Sequence, residues 1–168
     1  MSSREWSRIE ATERRIVESY LVDVPIKLGA VARELGISVK LSTLNPGESG
    51  MISREGGAYV IKINRYESRE RQRFTLAHEI AHFLLHRDII DASENGIVDN
   101  VLYRSGASEQ VEYEANRLAA DLVMPKNLIT PRLHQIGMPI SEEVIEYLAN
   151  TFQVSKAAME IRLTPMAA

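Results

Sequence analysis

The run His78-Glu79-Ile80-Ala81-His82 lies inside a stretch, about Ser68 to His86, whose apolar residues Phe74, Ala77, Ala81, Leu84 and Leu85 recur at helical spacing. Side chains four apart on a helix sit one turn apart on one face, so the two imidazoles can share one tetrahedral zinc ion. Glu79 stands at the edge of that face, placed to reach a water on the metal without binding the metal itself. Zinc lowers the pKa of such a water to about 7, and a carboxylate can then accept its proton at neutral pH. The spacing predicts metal-assisted hydrolysis, with His78 and His82 as ligands of one zinc ion and Glu79 as general base.

Such a site needs a third ligand. His86 continues the stripe, but at 1.5 Å per residue it lies about 12 Å along the axis from His78, too far for one ion to bridge; it reads as a helix-end histidine bonded to a carbonyl. A second helical stretch, about Ser108 to Met124, carries Glu109, Glu112, Glu114 and Asp121. Glu112 and Asn116 are four apart on one face, so Glu112 can ligate while Asn116 orients a ligand histidine; Glu114 points elsewhere. Glu112 is therefore the expected third ligand, with Asn116 behind it. For a donor to the developing oxyanion the candidates are Tyr103, Arg104 and His134, Tyr103 first because it immediately precedes the ligand helix.

The elements that must position these groups can be read along the chain. Trp6 to Leu21 is helical, ended by Pro25; residues 26–35 form a short helix closed by Gly36; residues 38–41 alternate like a strand. Met51–Ser53 and Tyr59–Ile63 read as a hairpin around Gly56-Gly57, and residues 88–108 as a long connection with Gly96 and Gly106. After Pro125 come short helices near 126–134, 141–151 and 155–163. The order predicts an α+β fold with a short antiparallel sheet, divided into a core with N-terminal helices at 1–125 and a C-terminal helical region at 126–168.

Composition narrows the function. Hydrophobic residues make up 45% of the 168, enough for a single core, and the formal net charge of −3 does not suit a nucleic-acid-coating protein. With no cysteine, any metal must be held by histidine and carboxylate. No apolar run long enough for a signal peptide or a membrane span occurs, so the expected location is the cytoplasm.

HEIAHFLLHRD followed by EYEANRLAADLVMP resembles the ImmA/IrrE family of bacterial and phage metallo-endopeptidases, which pair an HExxH helix with a downstream ExEANxFAAxLLMP helix. The resemblance covers roughly residues 25–125, and VSKAAMEIRL is similar to a C-terminal segment of the family. Leu118 and Val123 depart from its usual Phe and Leu, both at volume-tolerant core positions. The resemblance implies a small zincin-like (thermolysin-like) catalytic domain, zinc on His78, His82 and Glu112, and catalysis by Glu79. It also implies site-specific cleavage of a regulatory protein such as a helix-turn-helix repressor, in a mobile-element or stress response. The competing readings are a non-catalytic regulator of zincin fold that binds a repressor or DNA, and a metal-dependent hydrolase of another bond. Residues 26–41 and 141–163 have helix-turn-helix-like lengths but lack clustered Lys and Arg, so direct nucleic-acid binding is not expected, and an intact Glu79 favours the enzyme. A substrate held as an extended strand against an edge of the hairpin, at Met51–Ser53 or Tyr59–Ile63, with the C-terminal helices docking the partner, completes the expectation.

Overall fold

The computed structural model of the chain describes residues 3–100, 108–137 and 139–166. A 3₁₀ turn (Arg4–Arg8) leads into α1 (Ala11–Tyr20) and α2 (Leu28–Glu34), then β1 (Ile37–Ser42), β2 (Glu48–Glu55), β3 (Ala58–Asn64) and the long α3 (Arg69–Leu85). A short α4 (Arg87–Ala92) and β4 (Ile97–Asn100) follow, then α5 (Glu109–Val123), α6 (Lys126–Ile136), α7 (Glu142–Phe152) and α8 (Lys156–Leu163). The helix starts are chemically marked: Ser68, Ser108, Ser141 and Ser155 each accept a hydrogen bond from a backbone N–H of the first turn of α3, α5, α7 and α8. Among the described residues no helix is long and apolar enough to cross a membrane.

The sheet differs from expectation in two respects. Its strand order is β1-β3-β2-β4, and β1 runs parallel to β3 while the other pairs are antiparallel, so the sheet is mixed rather than antiparallel. Consequently both strands of the β2–β3 hairpin are interior, and neither Met51–Ser53 nor Tyr59–Ile63 offers a free edge; among the described residues the edges are β1 and β4. The stretch that reads as a long connection also contains α4 and β4. Gly96 explains the entry to β4: its φ is +68°, and a Cβ there would collide with the Ile52 carbonyl of the paired strand. Only glycine lets the chain turn this tightly onto β2.

α3 is the centre of the molecule. From Ala77 to Leu84 every residue is buried, with the sheet and α5 packed against it. Ala77 and Ala81 on α3, and Ala115 and Ala119 on α5, are fully buried and spaced one turn apart, so small side chains let the two helices approach closely. Gly50 serves the same purpose on β2, where a Cβ would strike the Thr75 methyl group. The C-terminal helices share this core through Ile129, Leu148, Phe152 and Met159. Asp121 fastens both ends of the chain to α5: it accepts hydrogen bonds from the Ser3 backbone N–H at 2.9 Å, the Ser3 hydroxyl at 2.7 Å and the Arg162 guanidinium at 2.9 Å. Asp121→Ala would leave Arg162, almost fully enclosed, without its counter-charge. It is expected to destabilise the fold by about 3 kcal/mol, read by urea unfolding; a change below about 1 kcal/mol would show that the tie is incidental.

Candidate metal centre

Two helices build the site. α3 presents His78 and His82 from successive turns, and α5 faces them with Glu112, Glu114 and Asn116. His78 Nε2 and His82 Nε2 are 3.1 Å apart, and Glu112 Oε2 lies 2.9 Å from the first and 3.2 Å from the second. Ligands on a tetrahedral zinc at 2.0–2.1 Å are about 3.3 Å from one another, so three donors so arranged fit one small ion with little adjustment. His78, Glu79 and His82 also each offer a donor atom within 4.8 Å of the others.

Two imidazole lone pairs and a carboxylate oxygen this close would repel one another, so a proton or a cation must lie among them. The outer nitrogens are tied in turn. His78 Nδ1 donates to Asn116 Oδ1 at 2.9 Å, so that Nε2 is the nitrogen that offers a lone pair once the ring is neutral. His82 Nδ1 lies 2.9 Å from His86 Nδ1, and His86 Nε2 lies 2.8 Å from Glu114 Oε1. The end-of-helix histidine is thus bonded to a ring nitrogen and a carboxylate rather than capping a carbonyl. Glu112 and Glu114, two residues apart, straddle the helix interface and reach different histidines.

Glu79 is fully buried, and among the described residues neither of its carboxylate oxygens has a hydrogen-bond partner. Burial pushes its pKa well above the usual carboxylate range; His78 pulls the other way, while Asp99 and Glu112 add to the rise. Burial also pushes His78 down, but the Glu112 hydrogen bond and the charges of Glu79, Asp99 and Glu112 outweigh it and raise the imidazole to about 9. For His82 burial wins, lowering it to about 4 despite the bond to Glu112. Glu112 is raised by burial but held far below the ordinary range by its close pairing with the imidazoles of His78 and His82. Asp99 acts from β4, inside the stretch that reads as a connection in sequence.

The raised pKa of His78 couples metal binding to pH. With its pKa at about 9, His78 of the metal-free protein is protonated at pH 7, and it must give up that proton to ligate. Calorimetry in buffers of different ionisation enthalpy is therefore expected to show about one proton released per ion at pH 7, with affinity rising about tenfold per pH unit and levelling above pH 9. Zero protons released at pH 7 would contradict the coupling of His78 to Glu112.

Tyr103 and Arg104 lie outside the described residues. His134 is exposed on α6, lining a separate cleft with Thr130, Leu133, Gly137 and Met166.

Comparison with known proteins gives the family. A family model described as the IrrE N-terminal-like domain, a peptidase family, matches residues 32–164. Among curated proteins, the radiation response metalloprotease IrrE of Deinococcus radiodurans is 40% identical over 106 residues, 62% of this chain and 30% of that protein. The protein of the same name from Deinococcus deserti is 42% identical over 92 residues, 51% of this chain and 31% of that protein. The matched stretch thus spans less than a third of either relative. A solved structure, a Mycobacterium tuberculosis transcriptional regulator, superposes with a TM-score of 0.62 over 97% of this chain and 48% of its own, at 18% identity, a likeness of fold alone.

Proposed function

Since the chain belongs to the IrrE N-terminal-like peptidase family, we propose that it is a zinc-dependent endopeptidase that cuts an extended segment of a regulatory protein. The observation that carries this reading is Glu79: a fully buried carboxylate with no partner among the described residues, next in sequence to His78 of the His78, His82 and Glu112 cluster. Burying such a group unpaired is costly, and carboxyls perturbed in this way concentrate where a fold uses them in chemistry.

His78, His82 and Glu112 would hold the ion, and Asn116 would orient His78. Two imidazoles, one carboxylate and no thiol form a donor set suited to zinc, with a fourth position open for chemistry. When bound, the ion supplies Lewis acidity, lowering the pKa of water to about 7 and polarising the scissile carbonyl. Glu79 accepts the proton of the attacking water and passes it to the amide nitrogen as the C–N bond breaks. Its raised pKa suits a base that must hold the proton between those steps. Tyr103 remains the proposed second stabiliser of the oxyanion.

For substrate placement, β4 takes the role expected of the hairpin. It is an edge strand among the described residues, and its Asp99 is close enough to influence both His78 and Glu79. A peptide pairing with β4 would pass the site in extended form. Beside Asn116 an apolar recess lined by Phe74, Ala120, Met124, Ile161 and Pro165 would take one aliphatic or aromatic side chain. We assign catalysis to residues 1–125 and the Ile161 and Pro165 wall of the recess to the region 126–168, acting in the cytoplasm. The curated relatives are named for a radiation response, which accords with a substrate in a stress response, and we take that substrate to be a helix-turn-helix repressor. Direct DNA reading by α8 is disfavoured: its cations Lys156 and Arg162 are engaged by Glu142 and Asp121.

The test is to incubate the zinc-loaded protein with the helix-turn-helix repressor encoded nearest to it and read the products by intact mass. Cleavage at one site, lost on chelation, is the expected result. Stable association without cleavage would favour the non-catalytic regulator.

A further inference from the structure

We propose that His86 and Glu114 are positioning residues that fix the ring of His82 in the tautomer able to bind metal. The proposal rests on the reading of His82 as a ligand.

Donors and acceptors can be assigned one by one along a buried chain. Glu114 Oε2 accepts from Arg8 Nη1 at 2.7 Å and from Gln110 Nε2 at 3.2 Å, which fixes the carboxylate and leaves Oε1 aimed at His86. A carboxylate only accepts, so the 2.8 Å contact between Oε1 and His86 Nε2 requires His86 to carry its proton on Nε2. A neutral His86 then has a bare lone pair on Nδ1. That nitrogen faces His82 Nδ1 at 2.9 Å, a distance that requires one proton between the two, and it must come from His82. With its proton on Nδ1, His82 has its lone pair on Nε2, directed at His78 Nε2 and Glu112 Oε2.

Both rings are enclosed: His86 is 5% exposed and His82 fully buried, so water does not substitute easily for either. A single change of donor sense at Glu114 would propagate through His86 and turn the protonated face of His82 towards the ligand cluster. The chain also starts outside the two ligand helices, at Arg8 in the N-terminal 3₁₀ turn, so seating of that turn against α5 bears on the ligand geometry. Asn116 performs the one-step version of this task for His78; His82 receives a two-step version because its outer nitrogen meets the C-terminal end of α3 instead of a side chain of α5.

Cobalt titration followed by visible absorption tests the idea without reference to cleavage. His86→Phe keeps a planar ring but removes the acceptor for His82 Nδ1. It is expected to bind one cobalt ion about 10- to 100-fold more weakly than wild type, and His86→Gln, whose amide oxygen can accept, should recover most of that loss. Binding by His86→Phe within about twofold of wild type would overturn the relay. If His82→Ala binds one ion as tightly as wild type, His82 is not a ligand and the underlying reading fails, a distinct result from failure of the relay alone. Should His86→Phe not fold, long-range ¹⁵N–¹H spectra of the zinc-loaded wild type decide: His86 protonated on Nε2 and bare on Nδ1 is expected, and a proton on His86 Nδ1 would overturn the proposal.

Discussion

Glu79→Gln is expected to keep the fold and the metal while peptide cleavage falls by about two to four orders of magnitude. Glutamine has the same shape but cannot accept the proton of the attacking water. Because burial already favours the uncharged form of Glu79 in the metal-free protein, the neutral amide asks little of the fold. The melting temperature should therefore move by no more than a few degrees, and zinc content should stay at one ion per chain. Those two controls make the variant informative: activity lost together with metal or structure would say nothing of a base, whereas unimpaired cleavage by the glutamine variant would remove Glu79 from the chemistry. A roughly tenfold loss or less would indicate that another group shares its role.

The second large effect concerns the donor set. His78→Ala combined with His82→Ala is expected to reduce zinc from one ion per chain to none, and to abolish thermal stabilisation by added zinc. That stabilisation amounts to about 4 kcal/mol in wild type at free metal a thousandfold above Kd. Glu112→Gln should weaken binding severely, since the oxygen lying within 3.2 Å of both Nε2 atoms loses its charge. Glu114→Gln should still bind one ion, more weakly than wild type but more tightly than Glu112→Gln, because Glu114 reaches the ligand cluster only through His86. The reverse order, with Glu114→Gln metal-free and Glu112→Gln loaded, would mean that the wrong carboxylate has been assigned.

Much of this site is legible in the sequence because its parts are local. The i and i+4 histidines, the capping Ser68 and Ser108, and the four-residue step from Glu112 to Asn116 are all helix geometry, and helix geometry repeats along the chain. The strand order is not legible. β1 looks like any half-exposed strand, and nothing in Ile37–Ser42 says that it joins β3 in parallel rather than β2. β4 is only four residues long and pairs with a strand far back in the chain, so neither its length nor its neighbours reveal it. The partners of His86 are hidden for a related reason. Its distance from His78 argues against ligation, but it bonds to a ring nitrogen one turn back and to a carboxylate on another helix, and only packing brings the latter within reach. Membership of the peptidase family is carried by the two motifs together, and each lies on a helix whose ends are marked by the residues alone.

The central claim, that this chain cuts peptide bonds with one metal ion held between α3 and α5, is tested most directly by stripping and restoring the metal. The purified protein is dialysed against a chelator, its zinc content measured, and cleavage of a mixed peptide library followed by mass spectrometry as zinc is returned. No internal cleavage is expected from the stripped protein, with recovery that saturates at one equivalent of zinc in wild type but not in the His78→Ala, His82→Ala variant. Cleavage at the full rate by protein shown to contain no metal would contradict the claim.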